Sequence, residues 1–438
     1  MLLRFGVENY RSIRDKQEIS FARSALDGPD HVTREAHGAK RGILPVVALY
    51  GANASGKSNV LSALESMVRH VEQSHVGLTP SARMPTDPFR LDPAMRDAPT
   101  RFDVDIVIDG IHYHYGFAIR SIVEEEWLYA WPERHQQLWF HRVGTDRSAW
   151  RFGPGLTGQR VRIAELTRDN SLFLSAAAQN NHLKLLPIYH HFARGFSFVD
   201  APEGPKLRSD SALFDEATLP RVLALLREAD LGVLDAKVED RTMILQEFIG
   251  EFHSRGEDRL AENLRKSLEE HGGPKELVLA HRGTAEPVWL PNVEESRGTL
   301  ALMDHLHQIL PALDHGSLVI LDELDGSLHP DLARAVVGLF TDPSTNRRGA
   351  QLLFTTHDPS ILDILRRDEV VVVDKSEFGA TALTPISEFR VLKRDHLATA
   401  YAQGRYGGVP RLGWFGRALA KESESVEAPA ERTPAGSR

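Results

Sequence analysis

The octapeptide GANASGKS at residues 51–58 is the sequence feature that most restricts the possible folds of this chain. It satisfies the pattern G-x-x-x-x-G-K-[ST], whose glycines let backbone N–H groups converge on phosphate oxygens. The segment before it, LPVVALY, has the continuous apolar character of a parallel strand buried on both faces. The segment after it, SNVLSALESMVRHVEQ, carries apolar residues at helical spacing. A strand, a glycine-rich loop and a helix in this order predict a phosphate-binding loop in an α/β fold.

The predicted ligands of this loop are ATP and Mg²⁺. Lys57 is expected to reach the β- and γ-phosphates, and the Ser58 hydroxyl is expected to ligate Mg²⁺. The alternative is a glycine-rich turn that binds nothing, and the flanking strand and helix argue against it. The other residues predicted to hold the nucleotide are Gly51, Asn53, Ser55, Gly56 and Asn59.

A second acidic motif supports this interpretation. SLVILDELD (317–325) is an apolar strand that ends in Asp322 and Glu323, and ligands bind at the carboxyl ends of strands in open α/β sheets. We expect Asp322 to hold Mg²⁺ through water and Glu323 to deprotonate the attacking water. His357 follows the next apolar strand, QLLF, and could sense the γ-phosphate. The alternatives are two solvated carboxylates and a structural histidine.

The periodicity of the sequence divides the rest of the chain. RFDVDIVI and IHYHYGFAI alternate polar and apolar residues around an Asp-Gly turn, which predicts a hairpin at the start of an antiparallel meander. Amphipathic helical segments follow, and buried-strand patterns return after residue 275. The predicted divisions are a first half of the ATPase domain (1–100), a meander (101–155), a helical insertion lobe (156–275), a second half (276–416) and a disordered tail (417–438).

Composition excludes several classes of protein. No apolar run approaches the roughly 18 residues of a membrane span, and the N-terminus lacks the features of a signal peptide. The chain has no cysteine, so a disulfide framework is excluded and a cytoplasmic protein is expected. The formal charge of −9 gives no overall signal for nucleic acid, although a local basic groove stays possible.

Histidines and tryptophans offer weaker leads. His112 and His114 share one strand face, but neither has an obvious third metal ligand, so a zinc site is disfavoured. Trp127, Trp131 and Trp139 lie in the predicted meander and are expected to pack in its core.

Together these motifs resemble the ABC-type ATPase heads of the structural-maintenance-of-chromosomes (SMC) and OLD (overcoming-lysogenization-defect) group. About 265 residues separate the phosphate-binding loop from Asp322, which leaves room for the meander and helical lobe of such heads. EESRGTLAL (294–302) occupies the place of their signature motif, and Ser296 and Gly298 match its S-x-G. The segments FGVENYRSIRDKQEISF, NSLFLSAAAQNN and AYAQGRYGGVP also resemble stand-alone bacterial ATPases of the OLD type, which often belong to phage-defence and abortive-infection systems.

The resemblance implies a homodimer, possibly within a higher oligomer, that holds ATP between the loop of one copy and the signature of the other. Ser296 would then grip the γ-phosphate from the partner copy, while its alternative role is the N-cap of a helix beginning at Thr299. Arg11 and Ser12 are expected near the nucleotide, or else as caps of a strand turn. GRYGGVP (404–410) is typical of a tight turn, with packing as its default explanation. Two departures stand out: the 80 or so residues after His357 are too few for a TOPRIM nuclease domain, and DPFRLDP (87–93) lacks the expected Q-loop glutamine.

Three functions follow as hypotheses. The first is an ATPase whose ATP-dependent dimerisation gates a separate nuclease or toxin in anti-phage defence. The second is a DNA repair or recombination ATPase that acts on DNA directly, which predicts salt-sensitive DNA binding. The third is a nucleotide-dependent scaffold that holds a toxin without needing turnover.

Overall fold

A computed structural model describes residues 1–26, 28–36, 39–133, 135–199, 218–271, 273–389 and 396–409. In this part of the chain the strands are β1 (Leu2–Glu8), β2 (Gln17–Ser20), β3 (Arg34–Ala36), β4 (Ala39–Ile43), β5 (Val46–Tyr50), β6 (Thr100–Ile108), β7 (Ile111–Ile119), β8 (Val123–Trp131), β9 (Gln137–Val143), β10 (Arg151–Phe152), β11 (Phe196–Val199), β12 (Val233–Asp240), β13 (Lys275–His281), β14 (Val288–Pro291), β15 (Leu318–Leu321), β16 (Gln351–Thr356), β17 (Val370–Lys375) and β18 (Thr381–Pro385). The helices are α1 (Lys57–Gln73), α2 (Pro93–Arg96), α3 (Arg160–Leu166), α4 (Phe173–Gln179), α5 (Leu186–Arg194), α6 (Leu219–Glu228), α7 (Thr242–Ser254), α8 (Asp258–His271), α9 (Arg297–His315), α10 (Pro330–Thr341) and α11 (Leu397–Ala402).

A largely parallel sheet lies at the centre of the molecule, in the order β11-β15-β16-β5-β17-β18. All neighbours are parallel except β18, which runs antiparallel to β17. Its middle strands are buried along their whole length, as expected for a sheet covered on both faces. The register pairs Tyr50 with Thr356 and Leu321 with Phe354, so the residues that follow β5, β15 and β16 meet at one edge.

An antiparallel sheet forms the second layer, in the order β10-β9-β8-β7-β6-β1-β2. The β6–β7 hairpin turns at Asp109 and Gly110, whose φ angles of 50° and 78° suit the two-residue turn that the sequence predicts. The strands β12, β13 and β14 form a separate antiparallel sheet just before α9.

Two hydrophobic cores cover the faces of the parallel sheet. Alternate residues of β5 divide between them: Val47 and Leu49 pack with α1 and the antiparallel sheet, whereas Val46 and Ala48 pack with α9 and α10. The strand period of two therefore places each face of β5 in a different core. As a result, α1 is held between the two large sheets with its first turn at the edge where the strands end.

The predicted α/β fold class, with a parallel sheet around the loop and an antiparallel meander, is confirmed. In the range 156–275, predicted as a helical lobe, more than half of the described residues lie in α3 to α8, but the range also contains β11, β12 and the first residue of β13. The sequence of β11, FSFV, is too short for its period to distinguish a strand from a helix, and only pairing with β15 makes it part of the central sheet. The domain boundaries stay predictions, and the tail 417–438 lies outside the described residues. Among those residues, no helix has the length and apolar character needed to cross a membrane.

Candidate phosphate-binding site

The loop between β5 and α1 has a backbone that only its particular residues allow. Gly56 has a φ of 110°, and a Cβ there would lie 2.1 Å from Thr381 Oγ1. A Cβ on Gly51 would lie 2.4 Å from the carbonyl oxygen of Val373. Both glycines are thus required by close packing, and the first by its backbone angle as well. The loop is fixed in place before any ligand binds.

Lys57 is buried at the first turn of α1, and its ammonium group is held by the loop itself. Nζ donates to the carbonyl oxygens of Gly51, at 2.8 Å, and Ala52, at 3.2 Å, and lies 3.2 Å from Nε2 of His357. Burial lowers the pKa of Lys57, and the charges of nearby carboxylates oppose that shift. The side chain is therefore a buried cation whose close neighbours are two carbonyl oxygens and an imidazole nitrogen.

The N-terminus of α1 is open to an anion. Its N-cap, Gly56, contributes no side-chain hydrogen bond, and the first turn contains no acidic residue. Ser58 is exposed on that turn, as is Asn53 in the loop, whereas the hydroxyl of Ser55 is buried without a hydrogen-bond partner. Unpaired N–H groups and the helix dipole together favour a phosphate at this position.

The predicted acids lie directly after β15 and are organised by a threonine that the sequence analysis did not single out. Thr355 is completely buried in β16; its Oγ1 donates to Asp322 Oδ1 at 2.5 Å and accepts from the backbone N–H of Glu323 at 2.7 Å. Glu323 has a φ of 54° and an exposed side chain. The exposure of this side chain makes its carboxylate accessible to water, as a general base requires.

Asp325 is a further acid at this edge that the sequence analysis left without a role. Its Oδ2 accepts from the backbone N–H of His357 at 3.0 Å, while its Oδ1 is buried without a hydrogen-bond partner. This contact positions His357 beside Lys57. An acidic residue three positions after Asp322, in a loop that follows a buried strand, is the signal that could have found it.

A hydroxyl network supports the underside of the loop. Ser12 Oγ lies 2.8 Å from Thr381 Oγ1 and accepts from the side-chain amide of Asn59 at 2.7 Å. The hydroxyl of Thr381 donates to the carbonyl oxygen of Ser55 at 2.8 Å. Asn59, predicted as a nucleotide ligand, therefore ties α1 to the β1–β2 connection. Ser12 and Thr381 are far apart in sequence, so only the fold shows that they share this task.

Arg11 does not reach the loop. Its backbone N–H donates to the carbonyl oxygen of Asp87 at 2.6 Å, and its Nε lies 3.4 Å from the carboxylate of the same residue. In the structure, Arg11 pairs with Asp87, and its contact with nucleotide stays a prediction. Ser12 is the residue of this segment whose hydroxyl accepts from Asn59 in the first turn of α1.

Ser296 and Gly298 begin α9. Ser296 is the N-cap, and its hydroxyl accepts from the backbone N–H of Thr299 at 3.1 Å, so the helix begins two residues earlier than the sequence predicts. A Cβ on Gly298 would lie 3.3 Å from the carbonyl oxygen of Ser327, in the loop that follows the acids. Within the described residues, neither side chain is brought into hydrogen-bonding contact with the phosphate-binding loop of its own chain.

The residues at the sheet edge fit ATP with Mg²⁺. A buried lysine, an uncapped helix N-terminus and a tight glycine loop match a polyphosphate. Ser58 and Asp322 carry oxygen atoms of the kind that Mg²⁺ prefers and would hold the ion, and Asp325, in the loop that follows Asp322, has a buried oxygen without a hydrogen-bond partner. Across the described residues, no cluster of three or more histidine or acidic side chains forms a second metal site. His112 instead stacks on Trp131 and contacts Asp105.

Comparison with known proteins gives a family. A family model described as "AAA domain, putative AbiEii toxin, Type IV TA system" matches residues 46–363. No curated protein matches the sequence. The match spans both the phosphate-binding loop and the acids after β15, in agreement with the predicted P-loop ATPase. By itself it does not identify an OLD-type or phage-defence protein.

Three solved structures of SMC heads are similar to the chain. An SmcHead bound to the C-winged helix domain of ScpA has a TM-score of 0.39 and 11% identity, and covers 87% of this chain and 96% of its own. The SMC head domain from Thermotoga maritima has a TM-score of 0.34 and 13% identity, and covers 89% and 99%. An Smc head with an extended coiled coil, bound to the C-terminal domain of ScpA derived from Pyrococcus furiosus, has a TM-score of 0.35 and 13% identity, and covers 87% and 95%.

Proposed function

The chain belongs to this AAA-domain family, and on that premise we propose that it is a Mg²⁺-dependent ATPase whose nucleotide cycle controls the pairing of two copies of the chain. The observation that carries the proposal is the sheet edge itself. A desolvated lysine, two acids placed by one buried threonine and a histidine in contact with the lysine all meet there. Buried polar atoms at this edge have no protein partner, which is the arrangement expected of groups that wait for a ligand.

The residues divide the work of hydrolysis between them. Lys57 exchanges its carbonyl contacts for phosphate oxygens, and the N–H groups of the first turn of α1 bind the same anion. Ser58 and Asp322 would hold Mg²⁺, which neutralises charge on the phosphates when bound. Glu323, exposed on its left-handed backbone, accepts the proton of the attacking water. His357, fixed through its backbone by Asp325, is placed to contact the terminal phosphate.

Pairing of two copies is supported by the position of the signature segment. Ser296 and Gly298 lie at an exposed helix N-terminus, beside the loop that follows Glu323, and among the described residues neither makes a hydrogen bond to the phosphate-binding loop of its own chain. A second copy placed face to face supplies that missing partner. In this arrangement the N–H groups at the start of α9 complete the coordination of the γ-phosphate.

We further propose that the paired state acts on a separate effector protein. The family description, with its words "putative AbiEii toxin, Type IV TA system", supports a role in a toxin–antitoxin system. On that basis the role that we propose is to halt growth, as in abortive infection in response to phage. A nuclease or toxin is the effector class that fits such a role. The expected compartment is the cytoplasm.

The test is the Glu323→Gln variant of the full chain, which keeps the size of the side chain and removes the base. With ATP and Mg²⁺, this variant should stop turning over nucleotide and accumulate as a dimer by light scattering, whereas the wild type should dimerise only transiently. Glu133→Gln, an exposed glutamate in the connection between β8 and β9, is the matched control and should behave as wild type. Undiminished turnover by Glu323→Gln would refute the assignment of the base, and a monomer at saturating ATP would refute the pairing.

A further inference from the structure

Residues 397–409 form a compact segment near the end of the described chain, for which neither the sequence motifs nor the proposed function gives a role. It consists of α11 and a turn in which Gly404, Gly407 and Gly408 have φ angles of 72°, 76° and 69°. Such angles disfavour any side chain. The turn therefore needs glycine at positions that the phosphate chemistry does not explain.

This turn is packed against the first residue of the phosphate-binding loop. A Cβ on Gly408 would lie 3.4 Å from the Cα of Gly51 and 2.7 Å from Cγ1 of Val372. The ring of Tyr401 meets that of Tyr50 edge to face, with centroids 5.3 Å apart. The segment thus covers the end of β5 and the start of the loop at once.

Two hydrogen bonds fix the turn in this place. The backbone N–H of Gly408 donates to Asp374 Oδ2 at 3.2 Å, and the hydroxyl of Tyr401 donates to the carbonyl oxygen of Gly408 at 3.0 Å. A Cβ on Gly407 would lie 2.3 Å from the same carboxylate oxygen of Asp374. The turn is therefore in direct contact with the end of β17.

The same contact region continues to the nucleotide-binding groups. The carbonyl oxygen of Gly51 is the nearest acceptor of Lys57, at 2.8 Å, and the hydroxyl of Tyr50 donates to the carbonyl oxygen of Asp358, next to His357. The ammonium group of Lys57 has three N–H donors, so a phosphate that binds it displaces one of its contacts with Gly51, Ala52 and His357. Gly51, which the turn contacts, is therefore a direct neighbour of the group that binds the ligand.

We propose that residues 397–409 are a positioning element for the phosphate-binding loop, so that nucleotide affinity depends on their docking against Gly51 and Tyr50. The inference rests on the proposed function, because it concerns the affinity of the same site. It also implies the reverse dependence: since coupling between two binding events is reciprocal, bound nucleotide changes how firmly the segment is docked.

The experiment compares Gly408→Ala with Gly404→Ala in the full chain. Both place a side chain at a φ near 70°, but a Cβ at Gly404 meets nothing nearer than Val409 Cγ2 at 3.7 Å, so it controls for backbone strain. The dissociation constant of a fluorescent ATP analogue is measured with Mg²⁺, together with the melting temperature. We expect the affinity of Gly408→Ala to fall by about tenfold or more, and that of Gly404→Ala to change by less than about twofold.

Tyr401→Phe keeps the proposal testable if Gly408→Ala does not fold. It removes only the hydroxyl that holds Gly408, and we expect about threefold weaker binding of the analogue with a melting temperature close to wild type. A lower melting temperature with unchanged affinity in both variants would show a purely structural role and overturn the inference. No binding by the wild type would instead overturn the proposed function.

The reverse dependence has its own measurement. Because the chain has no cysteine, Gln403→Cys on the exposed side of the segment gives a single labelling site for an environment-sensitive fluorophore. Saturating ATP with Mg²⁺ should shift its emission. A label at Gly144→Cys, in an open turn of the meander, should not respond. Equal responses at the two positions would contradict the coupling.

Discussion

Two of the buried charges in the described part of the chain have opposite surroundings. In the meander, Glu126 is fully buried and each of its oxygens has a partner: Tyr115 and the N–H of Leu174 donate to one, and the N–H of Phe173 donates to the other. At the loop, Lys57 is also buried but contacts only carbonyls and a histidine, beside a carboxylate oxygen and a hydroxyl that have no partner.

This difference separates a structural charge from a functional one. Burial raises the pKa of Glu126, against the opposing effects of Arg142 and the backbone N–H groups. These donors belong to the chain and stay in place, so the group stabilises one fold and binds nothing else. The buried Lys57 keeps a replaceable set of acceptors. Burial and an altered pKa are common to Glu126 and Lys57, so neither property identifies the binding site in this molecule. The difference is that Lys57 has no permanent acidic partner.

The largest effect is expected from breaking the permanent cluster. Glu126→Leu leaves the hydroxyl of Tyr115 and two backbone N–H groups without their acceptor, and it leaves the buried charge of Arg142 without its counter-charge. The free energy of unfolding in urea should fall by about 3–5 kcal/mol. Glu124→Leu, which breaks only the exposed pair with Arg120, should cost less than about 1 kcal/mol. A small loss for Glu126→Leu would mean that this cluster is not structural.

A smaller effect, seen in binding rather than in stability, is expected from Lys57→Met. Removing charge-assisted contacts to phosphate should weaken ATP binding by about 100-fold in calorimetric titration, with the unfolding free energy held within about 1 kcal/mol. Lys184→Met is the matched control, because Lys184 Nζ also donates to a backbone carbonyl, that of Gly155, but in the meander region. If Lys57→Met lowered the stability but kept ATP binding, Lys57 would be a structural charge like Glu126.

The organising role of Thr355 predicts a loss of about tenfold. Thr355→Val keeps the shape of the side chain but removes the hydroxyl that joins Asp322 to the backbone of Glu323, so the acids lose their alignment. ATP turnover should fall by about tenfold at saturating nucleotide, while folding is retained. Thr167→Val, which also removes the hydrogen bond of a buried threonine, should leave turnover unchanged. If Thr355→Val and Thr167→Val hydrolysed ATP at the same rate, Thr355 would have no role in aligning the acids.

The smallest effect concerns pH and a surface of the meander. Burial alone would raise the pKa of Asp105, but hydrogen bonds from His112 and His114 and the charge of Arg4 hold it well below 3.8. The carboxylate therefore stabilises the fold above that pH, and its contribution is lost as the pH falls further. Asp105→Asn should cost about 1 kcal/mol at pH 7 in urea unfolding, with the gap closing below pH 4 or so. A gap that is constant with pH would exclude this ionic contribution.

Most could be predicted from the sequence where the chemistry depends on residues that are adjacent in the chain. The loop of residues 51–58, the strand before it and the helix after it could be predicted because phosphate binding requires glycines and a helix N-terminus at fixed spacing. The hairpin around Asp109 and Gly110 could be predicted in the same way, since a two-residue hairpin turn favours the pair Asp-Gly. Ser296 was assigned two alternative roles, of which the structure shows the N-cap; the contact with nucleotide remains a proposal.

The sequence alone determined the phosphate-binding loop and the pair of acids, because each of these motifs depends on residues that are adjacent in the chain. Only the tertiary structure decided that Thr355 aligns the acids, that Ser12 and Thr381 support the loop, and that Gly408 packs on Gly51. Each of these contacts joins residues brought together by sheet pairing and helix packing. No local sequence pattern indicates such contacts. A small or hydroxyl-bearing residue is compatible with its local backbone whether or not a distant partner packs against it.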